Sequence, residues 1–252
     1  MTFIPVRDNF IITSNRDEKN SRGKAAEPAM YHHNGWNLIY PKDDAAGGTW
    51  IALKENGDAA VLLNGAFIYH ASQPPYRKSR GVLFLEVLSS DHPARAFSKI
   101  DLAGIEPFTL ILFEKNSLYE FRWDGTEKYC KQLSNNRPHI WSSATLYDGL
   151  VIKRREEWFA KFLRLTANPT QQDILNFHQF SGDGDKRNDL LMNRDGVYST
   201  VSITSMLLNG DRGVMHYKDI KNNKASEIQI AWINSAAAIF IPLCAASISF
   251  PL

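Results

Sequence analysis

Phe10-Ile11-Ile12-Thr13-Ser14-Asn15-Arg16-Asp17-Glu18 decides how this chain is read. Phe10 to Ser14 is apolar enough for a buried strand, and Thr2 to Val6 before it reads as a partner joined through the turn Arg7-Asp8-Asn9. The strand ends in Asn15-Arg16-Asp17-Glu18, which brings one cation and two carboxylates to a sheet edge or cleft. Such a cluster suits a reaction centre. It equally suits a solvated turn in which Arg16 pairs with Asp17 or Glu18, worth about 0–1 kcal/mol. The residues alone leave both readings open.

Outward from this stretch, strand-like runs recur at Thr49 to Lys54 and Ala59 to Leu63, with Glu55-Asn56-Gly57-Asp58 as the turn between them. The polar stretch Lys19 to Pro41 reads as a long loop. Helices are predicted over Ser79 to Leu88 and His92 to Lys99, the second entered through Ser90-Asp91 and Pro93. A meander follows in Phe108 to Glu114, Ser117 to Trp123 and Glu127 to Leu133, turned by Lys115-Asn116 and Asp124-Gly125. Two more helices, Leu150 to Leu165 and Gln171 to Phe180, precede strands at Val197 to Leu208 and Gly213 to Tyr217. Blocks of antiparallel strands alternating with helix pairs make an α+β protein in layers.

Composition excludes several classes. The 252 residues carry 29 basic and 27 acidic side chains, a net charge of +2, interleaved with no basic stripe of the kind nucleic acid needs. Cys130 and Cys244 form no CxxC pair, which fits a reducing, cytoplasmic setting without a zinc cluster. The opening residues have no apolar stretch of signal-peptide length. Residues 1–227 are expected to form one domain. Ile228 to Leu252 carries no charge, and its length would permit a membrane span. Asn234 and the serines and prolines inside it argue instead for a last buried strand with a tail, so membrane association is expected only through this segment.

Motifs for common chemistries are missing. Gly47-Gly48-Thr49 lacks phosphate-loop spacing and leads into a strand, so it offers no helix N-terminus. Asp183-Gly184-Asp185 starts like a calcium loop, but Arg187 stands where a ligand should be. Only His32-His33 cluster among the histidines, and adjacent side chains diverge, so no metal site is expected. A nucleophile elbow is absent, although a triad assembled in space leaves no such trace.

Asn15-Arg16-Asp17-Glu18, then Ala46-Gly47-Gly48-Thr49-Trp50, then an apolar strand ending at Asn64, together resemble the NRDE family, whose eukaryotic members are called transport and Golgi organisation protein 2. The resemblance covers roughly residues 2 to 220. It implies a four-layer αββα sandwich similar to the N-terminal nucleophile hydrolases. In those enzymes a terminal Cys, Ser or Thr supplies both nucleophile and base, because a free α-amine has a pKa near 8. By resemblance to the penicillin V acylase and bile-salt hydrolase group, Arg16 and Asp17 would hold the amine and nucleophile in place. Asn64 would offer its amide to the oxyanion, and Asn15, Glu18, Thr49 and Trp50 would contact the substrate, a small-molecule amide cleaved at its C–N bond.

The chain departs from the family pattern at the nucleophile, where Thr2 stands in place of the usual Cys. Either Thr2 is the N-terminal residue, or the first strand lacks its opening turn; its shortness favours the latter. The resemblance also implies an alternative, a non-catalytic protein handling haem or an apolar lipid, whose pocket would draw on Trp36, Trp50, Trp123, Trp141 and Trp158.

Overall fold

The computed structural model describes residues 1–233. In chain order these form β1 (Thr2–Val6), β2 (Asn9–Lys19), β3 (Ala25–His33), β4 (Trp36–Asp43), β5 (Ile51–Lys54), β6 (Ala59–Asn64), α1 (Arg80–Leu88), α2 (Pro93–Lys99), β7 (Phe108–Glu114), β8 (Ser117–Trp123) and β9 (Lys128–Leu133). They continue as β10 (His139–Ile140), α3 (Gly149–Leu165), α4 (Gln171–Phe180), β11 (Asn193–Arg194), β12 (Tyr198–Leu208), β13 (Arg212–Asp219) and β14 (Lys224–Ala231). The described chain is thus mixed α+β, and it divides into two compact units, each with one antiparallel sheet and one helix pair.

Among the described residues, the first unit comprises Met1–Gly23, Pro138–Trp141 and residues 149–233. Its sheet runs β10-β1-β2-β12-β13-β14, with β11 paired to β12. β1 and β2 share an apolar face, on which Ile4 and Ile11 pack against Phe159 of α3 and Ile174 and Phe177 of α4. α4 is held at its start by a capping box, the Thr170 side chain accepting from Asp173 N–H while the Asp173 carboxylate accepts from Thr170 N–H.

The second unit comprises Lys24–Arg137 and Ser142–Asp148. Its strands pair in chain order from β3 to β9, every neighbour antiparallel. β7 lies deep in this sheet and is buried along its whole length. One sheet face and the helices α1 and α2 enclose Leu38, Tyr40, Phe84, Phe97, Phe108 and Phe121, with Phe97 and Phe121 stacked at 4.4 Å.

Two expectations need correction. Lys19 to Pro41 is not a loop: it holds the last residue of β2, all of β3 and most of β4. Asn34 and Gly35 turn this hairpin at φ 50° and 84°, the paired left-handed conformation that Asn-Gly favours. The last strand also begins earlier than Ile228, at Lys224, and crosses the expected domain boundary between residues 227 and 228. The remainder of the uncharged tail, from residue 234, lies outside the described residues. Among the described residues no helix is long and apolar enough to cross a membrane.

Candidate active site

Because β2 continues through Lys19, strand alternation distributes the charged motif over two faces of the first sheet. Ile11, Thr13, Asn15 and Asp17 share the face that meets α3 and α4, whereas Ser14, Arg16 and Glu18 point to the other. On β1, Thr2 lies opposite Thr13 and therefore also faces the helices.

Under those helices a line of hydrogen bonds forms. Thr2 Oγ1 is 2.8 Å from His178 Nε2, and His178 Nδ1 is 2.7 Å from Asn15 Oδ1. The direction of the line follows from Asn15. Its Nδ2 donates to two backbone carbonyls, Leu190 at 2.7 Å and His178 at 3.2 Å, so its oxygen is the atom that faces the ring. An amide oxygen only accepts, so His178 carries its proton on Nδ1 and leaves Nε2 bare. The Thr2 hydroxyl must then donate to Nε2. Burial holds the His178 pKa well below its ordinary value, helped by the nearby chain-start amine and Arg155, so the ring is neutral. Thr2 and His178 are 0% and 1% exposed.

Next to this line stand three more polar groups. The Met1 amine donates to the Trp141 carbonyl at 2.8 Å, and the Trp141 N–H returns a bond to the Met1 carbonyl at 2.9 Å, extending the β1–β10 ladder. Burial, and then Arg155, push the pKa of this amine down to about 5, with Asp17 acting in the opposite sense. The amine is therefore a neutral base at pH 7. Arg155, on α3, is buried and donates to the Asn188 and Asp189 carbonyls at 2.7–3.2 Å. Asp17 accepts from Thr200 Oγ1 at 2.6 Å, while the same hydroxyl oxygen accepts from Met192 N–H at 3.0 Å.

The first unit thus brings together Thr2, Asn15 and Asp17. Arg16, 8% exposed, lies on the opposite face of the sheet, and Glu18 pairs with Arg22 at 3.4 Å. Thr49, Trp50 and Asn64 belong to the second unit. Thr49 Oγ1 donates to backbone carbonyls of Pro41 at 2.7 Å and Ile51 at 3.1 Å, which ties it to the turn before β5. Gly48 beside it has a packing reason: a Cβ there would lie 2.4 Å from the Gly81 carbonyl carbon, so only a bare backbone fits against the start of α1. Asn64 ends β6 opposite Phe108, and its carbonyl accepts from Ser143 Oγ at 2.9 Å.

His178, Arg155 and Thr200 were not singled out in the sequence. They come from α4, α3 and β12, far from the motif, and only His178 left a local trace, as a polar residue beside Phe177 on the buried side of α4.

The sequence pattern of Transport and Golgi organisation 2 matches residues 5–246. The chain belongs to this family. Among curated proteins none matches it. Among solved structures, an N-acylethanolamine-hydrolyzing acid amidase ortholog from Caenorhabditis elegans is 13% identical, with 82% of this chain and 92% of that one covered at a TM-score of 0.54. A variant of conjugated bile acid hydrolase from Clostridium perfringens is 10% identical over 96% of this family member and 94% of the hydrolase, at a TM-score of 0.41. The likeness to the acid amidase is one of fold, and it makes this the fold of the N-terminal nucleophile hydrolases. Taken separately, each unit has one antiparallel sheet with one pair of helices.

Proposed function

We propose that this chain is a hydrolase of small-molecule amides that breaks the C–N bond at the start of β1. The observation that carries the reading is the directed line Thr2–His178–Asn15, in which a hydroxyl already donates its proton to a neutral base. The Thr2 proton passes to His178 Nε2, and Oγ1 forms a bond to the amide carbon. As the C–N bond breaks, the imidazolium returns the proton to the leaving nitrogen. Water then adds to the ester carbon as its proton passes to His178 Nε2, the C–O bond to Thr2 breaks, and His178 returns that proton to Oγ1, releasing the acid. If Met1 is removed, amine and hydroxyl share Thr2, and the α-amine can serve as base by the route usual for this fold. Asp17 would orient that amine. Arg16 lies on the face of this sheet away from Thr2 Oγ1, so the proton transfers run through Thr2, His178 and Asn15 without it.

The test is release of amine from N-octanoylethanolamine by the full chain and its variants, with intact-protein mass reporting whether Met1 is retained. Thr2→Ser should keep activity and Thr2→Val should abolish it. Wild-type turnover by Thr2→Val would refute the assignment.

A second reading has its own support. Thr2 is wholly buried on the helix side, which suits a fold kept for binding without chemistry. The first unit also holds a cleft of about 600 Å³ lined by Phe180, Leu191, Met192, Val201, Ile220 and Lys221, among others, which suits a small amphipathic ligand such as a lipid acid or haem. Saturable binding of haem or octanoate, with no amide turnover in any variant, would favour this reading.

A further inference from the structure

The direction of the Thr2–His178–Asn15 line is decided by one amide, and that amide has two ways to lie. With Asn15 Oδ1 toward the ring, His178 keeps its proton on Nδ1 and Thr2 donates to Nε2. With the amide reversed, its Nδ2 would donate to a bare Nδ1, the ring proton would sit on Nε2, and the Thr2 hydroxyl would accept where it now donates. A hydroxyl that accepts is not activated toward a carbonyl. The first arrangement is selected by the carbonyls that take the Asn15 Nδ2 bonds, Leu190 at 2.7 Å and His178 at 3.2 Å. The His178 carbonyl is held within α4. The Leu190 carbonyl belongs to residues 181–192, which form neither helix nor strand and need another anchor.

Arg155 reaches that stretch from α3. Its Nε and Nη2 donate to the Asn188 carbonyl at 3.2 and 3.1 Å, and Nη2 also donates to the Asp189 carbonyl at 2.7 Å. Asn188, Asp189 and Leu190 thus present three successive carbonyls, the first two to a guanidinium and the third to Asn15. Arg155 and Leu190 are each 5% exposed, so these bonds form away from water. A rigid fork on two adjacent carbonyls fixes the peptide planes that carry them, and with them the direction of the next carbonyl. Burial first, and the Arg155 charge in addition, keep a proton off both the chain-start amine and His178.

We propose that Arg155 is a positioning residue whose grip on Asn188 and Asp189 sets the Leu190 carbonyl, holds Asn15 in one orientation and makes Thr2 the donor to His178. The inference rests on the amide-hydrolase reading only in treating this line as a reaction centre, and its test needs no turnover. The full chain and two variants, Arg155→Lys and Arg155→Gln, are prepared with isotope-labelled histidine, and the protonated ring nitrogen of His178 is read by NMR. Lys keeps the charge without the fork and Gln keeps a donor without the charge, so neither leaves the stretch bare. Near-ultraviolet circular dichroism reports that each is folded.

The wild-type ring should carry its proton on Nδ1 alone. Both variants should lose that single state, with an Nε2-protonated form appearing beside it. A merely structural role would lower the melting temperature and leave the tautomer as it was. With N-octanoylethanolamine, kcat should fall about 100-fold and KM should change little, as lost alignment without lost binding implies. A ring protonated on Nδ1 alone in both folded variants would overturn the proposal, and so would a wild-type ring protonated on Nε2. A tautomer that responds to Arg155 in a chain without turnover would sink the hydrolase reading and leave the positioning role standing, whereas turnover with an unresponsive tautomer would do the reverse.

Discussion

Replacing His178 with Phe fills the same space beneath the first sheet and removes both ring nitrogens. Thr2 Oγ1 then loses the acceptor at 2.8 Å and Asn15 Oδ1 loses the donor at 2.7 Å, in a site where Thr2 is fully buried. An orphaned buried polar group costs about 1–3 kcal/mol, so the variant should lose about 2–6 kcal/mol of stability. A second signature is specific to the imidazole. Burial lowers the native pKa of His178 below its ordinary 6.5, so the unfolded chain binds a proton that the native chain refuses. Stability due to this group is therefore complete above pH 6.5 and declines as pH falls below it, by at most about 1.4 kcal/mol per pH unit. The amine at the chain start acts in the same sense from its ordinary 8.0 down to about 5, so only the difference between variant and wild type isolates the ring. Urea unfolding followed by tryptophan fluorescence between about pH 5 and pH 8 gives both quantities. The His178→Phe curve should lie lower at neutral pH and be flatter below pH 6.5. A loss under about 1 kcal/mol with an unchanged pH slope would refute the neutral, doubly bonded histidine and the hydroxyl-to-ring direction with it.

Other perturbations reach the same architecture from different sides. Thr170→Ala breaks the capping box of α4 and should cost about 1 kcal/mol in urea unfolding, with faster hydrogen exchange at the start of that helix. Gly48→Ala drives a methyl into the Gly81 backbone and should yield little soluble folded protein, whereas Gly23→Ala, with open space around it, should fold normally as judged by circular dichroism. In the second unit, Lys54 is wholly buried, 3.7 Å from Asp58 and 3.9 Å above the Trp36 ring. Asp58→Asn removes the nearest of the carboxylates around that cation, with Asp91, Glu114 and the Ser90 carbonyl remaining, and should lower stability by about 1–3 kcal/mol, while Lys54→Met/Asp58→Leu should recover much of it in thermal melts.

Much of the fold was legible because it rests on local signals. The meander of β7, β8 and β9 follows from alternation and from Asp124-Gly125, and the four expected helices sit where apolar spacing placed them, although α2 starts at Pro93 behind His92 and not behind a Ser90-Asp91 cap. The hairpin of β3 and β4 escaped because β3 is half-exposed and mixed in polarity, and the buried apolar run of β4 is only Leu38-Ile39-Tyr40 before Pro41, although Asn34-Gly35 was there to be read. The site was legible in a narrower sense. Asn15 and Asp17 do lie beside Thr2, but ending the second strand at Ser14 concealed that Arg16 must point the other way. His178 is a partner chosen by the packing of α4 on β1 and β2, and no spacing within the chain announces such a choice.

The order of strands in the first sheet has a consequence for how the molecule is made. β2 pairs along its length with β12, from Phe10 opposite Leu208 to Lys19 opposite Tyr198. The second unit, by contrast, closes its sheet through strands that follow one another in the chain. On a ribosome the second unit can therefore complete its sheet while β2 still waits for β12 to be translated, since distant pairings form late. Thr2 and Asn15 emerge among the first residues, and His178 emerges more than a hundred and fifty residues later. A truncated or stalled chain would keep an intact second unit and an unpaired, apolar β2 edge. The candidate site comes into being only with nearly the whole described chain, and chaperones would meet this protein chiefly through its first strands.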